Sequence, residues 1–285
     1  MKTIDNIATL QRYETIVLRS DRLTPVGTDE IREIILEVQD PDFICEINNS
    51  FGVLVPGDSR FGHHLHHRLY SVADLPTSKD EKTRITLLVK RCAYIDDFSG
   101  EEYAGVASNF LCDRIAGDHV TITGPYQLAF NVPKDPEANM LLIGMGTGIA
   151  PFRAFIKHIY QSDIEWKGKV RLFYGAKSGL EMLYMNDENN DLTNYYDNET
   201  FKAFQAISPR PQWSDDIALD VTLEDQKEEI KQMLAMNNTH VYVAGLEKVR
   251  ENLDKAFANI LGSEEAWKSR KAELIAGGKW AEVLY

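Results

Sequence analysis

The run Gly144-Met145-Gly146-Thr147-Gly148-Ile149-Ala150-Pro151-Phe152-Arg153 joins an apolar stretch, Met140–Ile143, to the helix-like pattern Pro151–Tyr160. Glycines at such a junction let the backbone turn tightly and approach a bulky anion, and the free N–H groups of a helix start attract a pyrophosphate. Pro151 suits the first helical turn, where its missing N–H costs nothing. The spacing is not that of the G-x-G-x-x-G dinucleotide fingerprint, so a plain tight connection is the competing reading.

In the first half, Arg68-Leu69-Tyr70-Ser71 alternates as a strand does, which places Arg68 and Tyr70 on one face. A guanidinium pairs with phosphate and a tyrosine ring stacks on a flat aromatic ligand, although an ordinary barrel strand fits the same pattern. Gly105-Val106-Ala107-Ser108-Asn109-Phe110-Leu111 is a second small-residue lead-in to a helix, suited to a pyrophosphate or simply to a capped helix. His63-His64-Leu65-His66-His67 puts His64 and His66 on one face, yet no further Cys or carboxylate ligand stands out, so a metal-free strand or loop is expected. The charge run Glu224–Lys231 reads as a solvated helix face.

The elements that must carry these residues differ between the halves. Before Pro136, short alternating or β-branched runs predict a small antiparallel barrel or sandwich: Glu33–Val38, Gly52–Val55, Arg68–Val72, Arg84–Lys90 and His119–Thr123. One helix interrupts it, Ser108–Ile115, closed by Gly117. After a linker at Pro133–Glu137, strand and helix patterns alternate. Val170–Tyr174 ends at Gly175 and leads into Leu180–Asn189, and Phe201–Ile207 ends at Ser208. Thr222, with Asp225 in the capping-box position, opens a helix to Met236. Val241–Val243 ends at Gly245 and is followed by a helix Lys248–Leu261, a last helix capped by Ser263, and a final strand Trp280–Tyr285. Repeated βα units imply a parallel sheet with helices on both faces, ligands binding where its strands end. Two domains are expected, residues 1–136 and 137–285.

Across 285 residues, 44 acidic against 31 basic side chains give a formal charge of −13, which argues against nucleic-acid or membrane partners. No apolar run reaches the roughly 18 residues of a membrane span. Met1–Leu10 carries Asp5 and no apolar signal core, so no export signal is expected. Cys45, Cys92 and Cys112 are scattered, which points to a reducing, cytoplasmic setting without a disulfide framework, structural zinc or iron–sulfur cluster.

Taken in order, Arg68–Ser71, Val89-Lys90-Arg91-Cys92-Ala93-Tyr94, Gly105–Asp113, Gly146–Arg153, Val241–Leu246 and Tyr285 resemble the plant-type ferredoxin–NADP⁺ reductase family, from about Arg19 onward. The resemblance implies a six-stranded antiparallel barrel that holds FAD and a Rossmann-like domain that holds NADP(H), with NADH not excluded. It implies that Arg68 pairs with the FAD pyrophosphate, that Tyr70 stacks on the isoalloxazine beside Leu69, and that the Ser71 hydroxyl sits near flavin N5. Tyr94 would lie near the adenine, and Gly105, Val106, Ala107 and Ser108 would close on the phosphates. Val89, Lys90, Thr147, Gly148, Ala176, Lys177, Gly245 and Leu246 are the implied contacts to the nicotinamide dinucleotide. Ser208 and Arg210 would bind its 2′-phosphate. Ser71, Glu282 and Tyr285 are the implied catalytic set, Glu282 passing protons and Tyr285 covering the flavin.

Some positions depart from the family. Ala244 stands where a cysteine usually precedes the strand-end glycine, Ser208-Pro209-Arg210 carries an inserted proline, and Ile217-Ala218-Leu219 offers neither Lys nor Tyr. The ending Glu282-Val283-Leu284-Tyr285 is one residue longer than the family's, so a bulge is needed to keep carboxylate and ring together. The expected function is hydride transfer between NADP(H) and FAD, with single electrons exchanged with a ferredoxin- or flavodoxin-like protein. Such carriers are acidic, so a local basic patch around Arg84, Lys90 and Arg91 would have to offset the net charge. Alternatives are the reductase component of an oxygenase system and a nucleotide-binding regulatory protein without turnover.

Overall fold

The computed structural model describes residues 10–57, 65–95, 100–186, 189–195, 199–209, 217–247 and 249–285. His63, His64 and Arg210 lie outside them. The chain divides into two compact units, residues 1–128 and 129–285. This boundary precedes the expected linker because Phe130 is wholly buried against Phe152, Phe155 and Tyr242, and Tyr242 donates to the Asn131 carbonyl at 2.6 Å. An apolar side chain placed there belongs to the second core.

The first unit contains β1 (Arg12–Arg22), β2 (Ile31–Val38), β3 (Asn49–Pro56), β4 (Leu65–Ser71), β5 (Thr77–Lys79), β6 (Lys82–Lys90), β7 (Ala93–Ile95), β8 (Glu102–Ala104), the helix α1 (Val106–Cys112) and β9 (His119–Gln127). An antiparallel sheet of seven strands runs β4-β3-β9-β1-β2-β6-β5, one more than the six expected. β1 is the central strand that the pattern reading passed over. Alternation along these strands turns Val17, Leu36, Val53, Leu87 and Ile122 into one core, each wholly buried. The sheet curls: past β4, Val72 bridges Leu87 of β6, and the Ala73 N–H donates to Thr86 O at 2.8 Å. Among the described residues no continuous ladder closes the barrel. Gly52 is required on β3 because a Cβ there would overlap the imidazole of His67, whose Nε2 lies 2.8 Å from Thr123 Oγ1.

The second unit contains β10 (Asn139–Met145), α2 (Ile149–Gln161), β11 (Val170–Ala176), β12 (Phe201–Ile207), α3 (Leu219–Asp225), α4 (Lys227–Ala235), β13 (Thr239–Gly245), α5 (Val249–Leu261), α6 (Glu264–Ala276) and β14 (Trp280–Leu284). Its five strands are parallel in the order β12-β11-β10-β13-β14. Leu141, Ile143, Val241 and Val243 face the α3–α6 layer, while Phe152 and Phe155 of α2 pack with Phe130 and Tyr242 on the other side. Ser263 caps α6 as expected, its hydroxyl accepting the Ala266 N–H at 3.1 Å.

Two expected helices are corrected. Among the described residues of the expected helix Leu180–Asn189, a 3₁₀ turn, Gly179–Glu181, forms in place of an α-helix, and Tyr184 has φ +62°. Met182–Met185 are all buried, which no single helical face allows. Thr222 does not open a helix either. It lies inside α3 with its hydroxyl bonded back to Ala218 O at 2.7 Å, and α4 starts afresh after Gln226. Among the described residues, no helix is long and apolar enough to cross a membrane.

Candidate functional site

Each unit gathers part of the expected site. In the first, the β4 ladder sets Arg68 opposite Val53, Tyr70 opposite Phe51 and Ser71 opposite Ser50. Arg68 and Tyr70 therefore share the core-side face, against which Ala107 and Leu111 of α1 also pack. Leu69 points the other way and is half exposed. Burial pushes the Tyr70 hydroxyl well above the ordinary tyrosine pKa, with the Arg68 charge opposing it, so the phenol stays neutral.

Helix α1 starts at Gly105 without a side-chain cap. Glycine is needed there because a Cβ would crowd Ser108 Oγ and the Cys92 carbonyl, to which the Gly105 N–H donates at 2.8 Å. Ser108 Oγ accepts the Cys92 N–H at 3.2 Å, so Ser108 braces the lead-in from beneath while Val106 stays half exposed. Arg91 locks this corner from outside, donating to Glu30 at 2.8 Å, Asn109 at 2.9 Å and Asp113 at 2.8 Å. Tyr94 is exposed and stacks on Tyr103, with centroids 5.6 Å apart and planes at 24°. Arg91, Asn109 and Tyr103 were missed as site-forming residues because their partners lie on other elements. The β7–β8 pairing that joins the tyrosines is three residues on each strand, too short to read from a pattern.

Val89 is wholly buried in the barrel core, so only its backbone is available to a ligand. Lys90 pairs with Asp29 at 2.6 Å. Together with Arg84 on Glu37 and Arg91 on Glu30 and Asp113, this means that each cation of the candidate basic patch already faces a carboxylate. The three form no uncompensated positive surface.

In the second unit, Met145, Gly175, Ser208 and Gly245 fall at or just beyond the C-terminal ends of the parallel strands, as a nucleotide site requires. Gly146–Gly148 forms a 3₁₀ turn that feeds α2, with Gly146 at φ +52°. Gly148 is pressed against the Ala244 carbonyl of β13, where a Cβ would overlap backbone. Gly245, at φ +148°, in turn lies against Met145. Thr147 Oγ1 is 2.7 Å from the Tyr285 hydroxyl, and Tyr285 is half exposed. Its backbone is tied down by a bond from its N–H to Gly245 O at 3.0 Å. Ala176 and Ser208 are buried, Lys177 is half-buried and Leu246 is exposed.

Glu282 does not accompany Tyr285. β14 runs in unbroken register beside β13 from Trp280 to Leu284, without the bulge expected near the end. Trp280, Glu282 and Leu284 thus face the α5–α6 layer, and Tyr285 follows the opposite set. The Glu282 carboxylate accepts from Arg250 Nη2 at 2.7 Å and from Trp280 Nε1 at 2.8 Å. This geometry gives the carboxylate a structural partner set.

An antiparallel β unit followed by a parallel α/β unit, with a glycine turn at the strand ends, defines a class of two-unit nucleotide-dependent oxidoreductases. Residues 142–255 match the oxidoreductase NAD-binding domain family. The chain is 31% identical over 268 residues to a ferredoxin–NADP reductase of Thermosynechococcus vestitus, covering 91% of this chain and 69% of that protein. It is 34% identical over 245 residues to the chloroplastic leaf isozyme 1 of ferredoxin–NADP reductase from Oryza sativa subsp. indica, covering 83% of this chain and 66% of that one. A solved ferredoxin–NADP⁺ reductase from Plasmodium falciparum shares the fold at a TM-score of 0.71 and 18% identity, over 100% of this chain and 98% of that one. The chain belongs to the ferredoxin–NADP reductase family.

Proposed function

We propose that this protein is an FAD-dependent reductase that passes a hydride between NADP(H) and its flavin and exchanges single electrons with a ferredoxin. A flavodoxin-like carrier and a cytoplasmic setting are the finer parts of the same reading. The observation that carries it is the shared face of Arg68, Tyr70 and the uncapped start of α1. A guanidinium, a neutral ring and helix N–H groups together fit a dinucleotide that has both a diphosphate and a flat ring system.

FAD, when bound, supplies the conversion between two-electron and one-electron chemistry. Arg68 and the backbone of Gly105–Ser108 bind the diphosphate, Tyr70 orients the ring, and the Ser71 hydroxyl is placed for the reacting edge. Tyr94 offers its exposed face to the adenine. In the second unit, the Gly146–Gly148 turn receives the nicotinamide dinucleotide. Thr147 hydrogen-bonds it, Gly148 permits close approach, Lys177 contacts the dinucleotide, and Ser208 and Arg210 select the 2′-phosphate.

The test is the visible spectrum of the purified protein. Flavin absorption that bleaches on anaerobic addition of NADPH and returns on addition of oxidised ferredoxin is expected. A colourless protein that binds no added FAD would overturn the reading.

A further inference from the structure

Two backbone segments meet at one buried hydroxyl. Tyr174, wholly buried on β11, donates to the Gly146 carbonyl at 3.1 Å and accepts the Leu183 N–H at 3.4 Å. Gly146 opens the glycine turn, and Leu183 belongs to the buried, non-helical connection after β11. Arg153 grips that connection from the other side: its guanidinium lies 4.0 Å from the Tyr184 ring centroid, and its Nε donates to Asp191 at 2.9 Å. Arg153 sits on α2, which grows out of the same turn. The connection is therefore held both from β11 and from α2.

Peptide planarity gives the Tyr174 bond a directional effect. The Gly146 carbonyl and the Thr147 N–H belong to one trans peptide unit and point in opposite directions. The carbonyl is drawn onto Tyr174 and onto the Ile149 N–H, which turns the Thr147 N–H away from both. If the turn receives the dinucleotide, that orientation is what would offer the N–H to it. Without the phenol, the carbonyl and the Leu183 N–H would each lose a partner in a dry setting, and the turn would relax.

We infer that Tyr174 is a positioning residue for dinucleotide binding, coupling the Gly146–Gly148 turn to the Met182–Tyr184 connection. The inference rests on the reading of that turn as the NADP(H) site. Burial pushes the Tyr174 pKa far upward, so the bridge stays a neutral hydrogen bond at any working pH.

The experiment is calorimetric titration of the full-length protein with NADP⁺, for wild type, Tyr174→Phe and Tyr242→Phe. Tyr242 is a matched control, a buried tyrosine in the same unit that donates to the Asn131 carbonyl at 2.6 Å. Both variants should melt at lower temperature. Only Tyr174→Phe should weaken NADP⁺, by about tenfold, and raise KM for NADPH while kcat stays within about twofold. Unchanged affinity in Tyr174→Phe, or the same loss in both variants, overturns the inference while leaving the cofactor reading intact. A wild type that does not bind NADP⁺ removes the cofactor reading and this inference with it. If Tyr174→Phe does not accumulate as folded protein, amide exchange of the wild type decides. NADP⁺ should slow exchange at Leu183, and an unchanged rate there overturns the coupling.

Discussion

The Tyr285 hydroxyl lies 2.7 Å from Thr147 Oγ1, so the one side-chain hydroxyl of the glycine turn already has a partner within its own unit. A ligand that recruits Thr147 must compete with that ring. Tyr285→Phe keeps the ring and removes the bond, and it should tighten NADPH binding about two- to tenfold, the range of one neutral hydrogen bond. Tyr285→Ser should also narrow the preference for NADPH over NADH. Equilibrium titrations with both cofactors check this, and an unchanged affinity in Tyr285→Phe would mean that Thr147 does not touch the ligand.

Arg68→Ala should weaken FAD about ten- to a hundredfold, as expected for loss of one charge-assisted contact to phosphate. Arg84→Ala should not, because Arg84 is committed to Glu37 at 3.0 Å. Flavin content after gel filtration separates the two. Full retention in Arg68→Ala would detach β4 from the flavin.

Glu282→Gln should act on stability instead of turnover. Its carboxylate neutralises Arg250 at 2.7 Å, a pair whose arginine is nearly half exposed and therefore screened. A loss of about 1 kcal/mol in denaturant midpoints is expected, with the rate of flavin reduction by NADPH within about twofold of wild type. A collapse of the rate at unchanged stability would return Glu282 to the reaction.

The pH profile of stability should carry a signature of Glu229. The hydrogen bond from buried Arg171, at 2.8 Å, holds this carboxyl down at about 2 against the opposing effect of burial. A carboxylate depressed in the folded state stabilises the protein above its unfolded pKa, and that stability is lost as pH falls through the folded value. Glu229→Gln should therefore be destabilised by about 1.5 kcal/mol at neutral pH, with the gap to wild type closing between about pH 4.5 and 2. Urea midpoints across that window test it.

What the sequence revealed depended on how local the cause was. The glycine turn, the Ser263 cap and the alternating strands announce themselves because neighbouring residues determine them. The connection through Met182–Met185 did not, since an apolar run reads as part of a helix until the burial of all four side chains and the hold of Tyr174 and Arg153 on them are seen. The opposed faces of Glu282 and Tyr285 follow from the β13–β14 register, which no string of letters displays. Likewise, Arg84, Lys90 and Arg91 look like a positive patch until Glu37 of β2, and Asp29 and Glu30 of the segment just before it, arrive beside them.

Trp280 sits on the edge strand of the parallel sheet with its ring 5.4 Å from Trp267, and the Lys271 ammonium lies 4.6 Å from its centroid. Indole emission responds to water and to nearby charge, and both change when this edge lifts from β13. Neither tryptophan belongs to the proposed chemistry, so at fixed flavin occupancy and redox state a change in their fluorescence reports fraying of β14. In a variant with Trp166 and Trp213 replaced, the remaining emission can thus follow the strand that leads to Tyr285.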